Sequence, residues 1–155
     1  MSVSPRQTVD AFLNGFRLKD VDAALSTVSD DAKVTVYPLL VVDGTKSVVR
    51  SLLEDIVAAF PDVLVTVKNV IELERGRVIV AEFKIEGTQA GDFLGAINQE
   101  KHLDLDTAWR FTLSGEENTS RITGIDAYWC QNQLYRRLAV KRQDQVTIVK
   151  QKVNA

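Results

Sequence analysis

Residues 103–111, LDLDTAWRF, alternate between two chemistries. Leu103, Leu105, Thr107, Trp109 and Phe111 share one parity. Asp104, Asp106, Ala108 and Arg110 share the other. A period of two belongs to a β-strand, whose successive side chains point to opposite faces. The stretch therefore predicts a strand with one buried face and one wet face. A slip of one residue would turn Leu103, Leu105, Trp109 and Phe111 to water, which fixes the register. Thr107 is left as the one polar residue in a greasy row.

The same period runs through the preceding chain. VLVTVKNVIELE (63–74) predicts a strand kinked near Asn69, and RVIVAEFKIEG (77–87) alternates cleanly after an Arg75-Gly76 turn. TQAGDFLGAINQE (88–100) reads as a loop with two glycines, SGEENTS (114–120) as a polar hairpin tip, and RITGIDAYWC (121–130) as the last long strand. Before Pro61 the period is helical. Ser4-Pro5-Arg6-Gln7 is a capping box with proline in the first turn, followed by Val9, Phe12, Leu13 and Phe16 at helical spacing. Asp20 can cap a short second helix. KVTVYP (33–38) predicts a strand stopped by Pro38, and VDGTKS (42–47) a turn. Val48, Val49, Leu52, Leu53, Ile56, Val57 and Phe60 form the broad stripe of a third helix, capped by Thr45 or Ser47. QNQLYRRLAV (131–140) predicts a short terminal helix. Helices first and long antiparallel strands later define an α+β fold, a curved sheet packed against three N-terminal helices. Residues 1–140 form the domain. Residues 141–155 form a tail whose VTIV stretch reads equally as an edge strand or a loose end.

At 155 residues the chain suits a single domain with a sizeable core. A net charge of −2 argues against nucleic-acid binding, which needs a basic excess. No stretch resembles a membrane span or a signal peptide. The single cysteine, Cys130, allows no internal disulfide, and the sequence reads as a soluble, cytoplasmic protein. The single histidine, His102, removes most zinc and triad chemistry. His102, Asp104 and Asp106 share a strand face, as ligands of a metal would, but so do Arg110 and the charged residues of neighbouring strands. A cross-strand charge lattice is the expectation, with no metal and no cofactor.

Three stretches together resemble a known superfamily. FPDVLVTVKNVIELERGRVIVAEFKIEGTQAGDFLG (60–95), with its GT-x-x-G loop, looks like the core of SnoaL-type polyketide cyclases. DTAWRF (106–111) and GIDAYW (124–129) look like the last strands of ketosteroid isomerase, and QNQLYRRLAV is similar to the SnoaL-like terminal segment. Their order resembles the cone-shaped nuclear transport factor 2-like superfamily over roughly residues 5–140. The resemblance implies a deep apolar pocket between the concave sheet face and the helices, and a homodimer joined through the convex face.

The resemblance also locates the superfamily's catalytic positions, and they are occupied by other residues. The isomerase's tyrosine donor falls at Phe12. Its base, an aspartate before proline, falls at Tyr37, with a one-residue insertion in the match. Its second oxyanion donor and the cyclase histidine both fall at Thr107. The cyclase aspartate of the final strand falls at Ala127, and the loop histidine at Gln89. A tuned carboxylate could move a proton near neutral pH, whereas a threonine hydroxyl without a base cannot.

The candidate chemistry then rests on hydroxyls and indoles. Thr107 and Tyr37 are the candidate catalytic residues, each read either as a hydrogen-bond donor to a ligand oxygen or as a core or cavity-lining residue. Phe12, Phe16, Phe83, Gln89, Leu105, Trp109, Ile125, Ala127 and Trp129 are the candidate ligand-binding residues. The expected ligand is a small hydrophobic molecule with an oxygen or two. An enzyme of the cyclase, isomerase or dehydratase type and a non-catalytic binding protein both remain open. A third, weaker alternative is an enzyme like the epoxide hydrolases of this fold, whose inward Asp–Arg–Asp relay has no evident place in this sequence.

Overall fold

The computed structural model describes residues 3–115 and 120–139. The C-terminal tail, with its VTIV stretch, and most of the 114–120 hairpin tip lie outside the described residues.

Helix α1 (Pro5–Arg17) starts as its sequence dictates. The Gln7 N–H donates to Ser4 Oγ at 3.1 Å, and the Ser4 N–H donates to Gln7 Oε1 at 2.9 Å. Helix α2 (Val21–Leu25) is capped by Asp20, which accepts the Ala23 N–H at 3.0 Å. Strand β1 (Val28–Val36) begins five residues before the predicted KVTVYP and ends at a short 3-10 turn, Tyr37–Leu39. Part of the predicted 42–47 turn is a short edge strand, β2 (Val41–Gly44). Helix α3 (Lys46–Ala59) buries Val49, Leu52, Leu53 and Ile56.

Four long strands follow: β3 (Leu64–Leu73), β4 (Val78–Thr88), β5 (His102–Leu113) and β6 (Ile122–Trp129). The sheet order is β2-β1-β6-β5-β4-β3. It is antiparallel except for β1 and β6, which run parallel because the chain passes through the whole sheet between them. The kink expected near Asn69 is a register shift between Val67 and Asn69. A fourth helix, α4 (Gln131–Leu138), continues where β6 stops. Strand β6 pairs with β5 only from Thr107 to Leu113, and just beyond it Asp106 N–H donates to Gln133 Oε1 at 3.3 Å.

The alternation of β5 comes out as its sequence requires: Leu103, Leu105, Thr107, Trp109, Phe111 and Leu113 are buried and the intervening residues are not. The inner rows run straight across three strands, Phe83–Thr107–Trp129, Ala81–Trp109–Ala127 and Ile79–Phe111–Ile125. Helix α1 lies over them. Phe12 packs edge-on to Phe111 with ring centres 5.3 Å apart, and Phe16 meets Phe83 at 6.4 Å.

Candidate functional site

The interior is closed to an extent the sequence did not show. Under the concave face there is a seam of only about 10 Å3, bounded by Leu52 of α3, Phe93 of the β4–β5 loop, Leu105, Trp109 and Trp129 of the sheet, and Leu134 of α4. A single water needs roughly that much space, and a drug-sized ligand roughly thirty times more. The deep pocket implied by the resemblance is thus filled with side chains. Phe12, Phe16, Ile125 and Ala127, expected to line it, are core residues away from the seam. Trp109 is held by Phe12, Phe83 and Phe111, with ring centres 5.6 to 6.3 Å away.

Two polar atoms in this packing are conspicuous. Thr107 is 6% exposed and Trp109 1%, yet neither Thr107 Oγ1 nor Trp109 Nε1 has a hydrogen-bond partner among the described residues. A buried donor left unpaired costs about 1–3 kcal/mol, so such groups are rare and need a reason. Two residues apart on one strand face, their Cα atoms are about 7 Å from each other. Thr107 lies in the row between Leu105 and Trp109, opposite Trp129. Those three border the seam, whereas Thr107 itself borders a groove of about 500 Å3. The Trp129 indole is satisfied, donating to Gln131 Oε1 at 2.7 Å. The described side chains that are both buried and polar are Thr8, Thr35, Gln89, Thr107 and Ser120, so no carboxylate or imidazole is among them.

Two expected site residues do other work. Tyr37 is on the surface, 48% exposed, and its ring stacks on Tyr128 with centres 4.5 Å apart and planes 11° from parallel. Tyr128 has the parity of Asp126, on the outer face, so the strand-ending Pro38 turn carries Tyr37 away from the interior. The Tyr128 phenol is pushed up by its hydrogen bond with Tyr37 and then by burial. Gln89 is buried, but both ends of its amide hold the loop. Its Nε2 donates to the Ala96 carbonyl at 3.1 Å, and its Oε1 accepts the Gln99 N–H at 3.3 Å.

The loop that Gln89 holds was missed as a site element. Phe93 and Ala96 close a tight hairpin through N–H···O bonds of 3.0 and 2.8 Å. Its central residues, Leu94 at φ 47° and Gly95 at φ 82°, are both left-handed, the demand of a type I′ turn. Helix α4 ties the loop down: Gln99 Nε2 donates to the Leu138 carbonyl at 3.0 Å and the Tyr135 hydroxyl to the Leu94 carbonyl at 3.4 Å. The glycines at 91 and 95 signal a loop, but nothing local says where Phe93 will point. Beside the hairpin, on the side of α3, a cleft of about 260 Å3 opens to solvent between Leu39, Leu94 and the helix.

The outer face carries the charges. Lys84 Nζ meets Asp104 Oδ1 at 3.0 Å, Lys68 Nζ meets Asp106 Oδ1 at 2.8 Å, and Arg137 approaches Asp104 at 3.8 Å. Asp106 is held below the usual carboxylate range by its hydrogen bond from Lys68, against a smaller opposing effect of burial. Lys84 is raised, chiefly by its hydrogen bond to Asp104. This is the cross-strand lattice. The groove of about 500 Å3 runs over it, walled by Lys68, Glu82, Asp106 and Tyr128, and it reaches three of the expected site residues, Phe83, Thr107 and Trp129. Cys130 lies at its edge, exposed. No described helix is long and apolar enough to cross a membrane.

With this geometry the molecule shares its fold with solved structures described as SnoaL-like and NTF2-like proteins. Solved structures of similar shape include a protein described as a SnoaL-like polyketide cyclase from Jannaschia sp. CCS1, with a TM-score of 0.75 and 16% identity over 89% of this chain and 93% of that one. AclR from Streptomyces galilaeus, described as a hydroxylase, gives 0.72 and 13% over 85% and 92%. SalBIII, an epoxide hydrolase/cyclase-like enzyme of pyran ring formation in the polyether salinomycin, gives 0.66 and 16% over 83% and 92%. No family model and no curated protein matches by sequence. Three different chemistries on one backbone mean that the fold alone does not select a reaction.

Proposed function

We propose that this protein takes a small apolar molecule bearing one or two oxygens, of polyketide or terpenoid type, into the seam beneath its sheet. It directs that molecule's cyclisation, isomerisation or dehydration by confinement and hydrogen bonding. The observation that carries this reading is the pair of buried, unpartnered donors, Thr107 Oγ1 and Trp109 Nε1, two residues apart on one strand face, the second bordering the seam. A ligand carbonyl would satisfy them, and donors aimed at a developing negative oxygen stabilise it most where water is excluded. Holding a flexible chain in one folded shape lowers the entropic barrier to ring closure without any side chain moving a proton. The polyketide cyclase described for the Jannaschia protein is in keeping with this substrate class.

A second reading, a non-catalytic carrier of the same ligand, is favoured by the lack of any buried carboxylate or imidazole among the described residues. Calorimetric titration with 2-acetylnaphthalene, a flat apolar ketone, tests the shared part. Binding should be about tenfold weaker in a Thr107→Val, Trp109→Phe double variant. Equal binding by that variant, or none by the wild type, removes the reading. Conversion of a linear poly-β-ketone thioester to a ring faster than in buffer then selects the enzyme, and tight binding without conversion the carrier.

The proposal includes a cytoplasmic setting and a second copy of the chain on the outer sheet face. Ile71 and Leu73 of β3 are exposed there, at 40% and 47%, and the Tyr37–Tyr128 stack lies three strands away at β6. Light scattering should give twice the chain mass, and Ile71→Glu with Tyr128→Glu should return a monomer.

A further inference from the structure

Two spaces meet at one hairpin. The buried seam is bounded by Phe93, and the solvent-filled cleft of about 260 Å3 is bounded by Leu94, the next residue. Leu52 of α3 borders both. On that side the Phe93–Leu94 pair of the hairpin borders both. That pair is held in a costly conformation, since a branched, bulky residue at φ 47° is disfavoured by about 1 kcal/mol or more.

The cleft differs from the seam in its chemistry. Along its helical wall Ser47, Ser51 and Asp55 follow at intervals of four, so they form a polar stripe about 12 Å long on one side of α3. Leu39, Val48 and Leu94 supply apolar surface around it. The other charged groups of α3 are engaged. Lys46 meets Asp30 at 3.2 Å, Arg50 meets Asp22 at 2.8 Å, and Glu54 meets Arg50 at 3.5 Å. Asp55 alone among them has no ion pair or hydrogen bond to the described residues, and it faces the cleft.

We infer that cleft and seam are the two halves of one ligand site, divided by the Phe93–Leu94 hairpin, and that the cleft half receives a hydroxyl-bearing end of the ligand on Ser51 and Asp55. This rests on the reading of the interior given above and extends it to the ligand's other end. The ligand is then amphiphilic along its length. A carbonyl oxygen lies against Trp109 and Thr107, an apolar body passes Leu52, and a hydroxyl donates to the Asp55 carboxylate. A plain hydrocarbon tail would leave the stripe wet and gain nothing from it. Entry requires the hairpin to move. The bonds that hold its tip and flanks are Gln89 to Ala96 and Gln99, Asp92 to Asn98, Gln99 to Leu138 and Tyr135 to Leu94, of which the Asp92 and Tyr135 bonds are exposed to solvent.

The test uses two ketones: 2-acetylnaphthalene with a propyl chain on its far ring, and the same molecule with that chain ending in a hydroxyl. Tryptophan fluorescence reads the affinity of each for the full chain. Wild type should prefer the hydroxylated ketone about fivefold, the size of one net hydrogen bond. A Ser51→Ala, Asp55→Ala double variant should show a preference under twofold while binding the propyl ketone as wild type does. Both sites are exposed on a helix and alanine is a good helix former, so the variant should fold. Saturation with the hydroxylated ketone should also change hydrogen exchange at the Phe93 and Ala96 amides. Equal affinities in wild type, a preference that survives in the variant, or unchanged exchange with ketone bound would each overturn the inference. If wild type binds neither ketone, the interior site itself fails. If it binds the propyl ketone without preference, only the role of the cleft fails.

Discussion

The Thr107 hydroxyl and the Trp109 indole N–H share the buried face of one strand, and neither meets a hydrogen-bond partner among the described residues. A residue kept for packing alone would not carry an unsatisfied polar atom there. Replacing it by an apolar residue of the same shape should relieve the cost. Thr107→Val is therefore expected to leave the ligand-free protein as stable as wild type, or up to about 1 kcal/mol more stable, while weakening ketone binding several-fold. Thermal melts with and without ketone separate the two effects. A variant that melts lower without ligand would mean the hydroxyl has a structural partner.

Gln89 illustrates the opposite case, a buried amide with both ends engaged. Gln89→Ala would remove the second donor to the Ala96 carbonyl, which keeps the Phe93 N–H, and the Oε1 acceptor of the Gln99 N–H, and would create a void. A loss of about 2–3 kcal/mol is expected. The change should be local as well as global, with faster hydrogen exchange across residues 89–99 than in the strands. Uniformly faster exchange across the sheet would show that the loop does not open on its own.

Parity made most of the frame legible. On β5 the period of two is unbroken from Leu103 to Phe111, so the inner and outer faces and the charge lattice followed from the letters. The Ser4 capping box, the Asn69 irregularity and the terminal helix were local signals of the same sort. The site was less legible, because its shape depends on contacts between distant segments. Phe93, Leu52 and Leu134 border one space although they lie on a loop and two helices. Tyr37 was placed by the resemblance, at the residue before Pro38, and the letters there do not say to which side the following turn carries the ring; it lies on the surface against Tyr128. The parallel β1–β6 pair and the short β2 edge are likewise long-range choices.

Asp62 gives a prediction in pH. It accepts the Thr88 N–H at 2.8 Å, and that bond is the main cause of its carboxyl lying below the ordinary value. A carboxyl depressed in the folded state stabilises it above the unfolded pKa of about 4, and the contribution fades as pH falls through the folded value. The group is solvent-exposed, so the gain after screening is about 0.5 kcal/mol. Wild type should outlast Asp62→Ala in urea at pH 7 by that margin. The gap should close progressively below pH 4. A gap that is constant down to pH 2 would assign the effect to packing instead of charge.

Gly15 sets how closely α1 and α2 approach. A Cβ at this position would lie 2.5 Å from the Ala24 backbone nitrogen and 2.9 Å from its Cα, distances that real side chains do not adopt. The obstacle is backbone, so the helices would have to separate. Ala24 and Leu25 on one side and Phe12, Leu13 and Phe16 on the other are all buried by that approach. In a helix alanine is intrinsically better than glycine by about 1 kcal/mol, so propensity alone predicts that Gly15→Ala stabilises. Overpacking costs about 1–3 kcal/mol and acts against it. With backbone as the obstacle the steric term should win, giving a net loss of about 1–2 kcal/mol and a melting temperature lower by about 3–6 °C for a domain of this size. A melting temperature at or above wild type would show that α2 can shift without loosening Phe12 and Phe16 over Trp109.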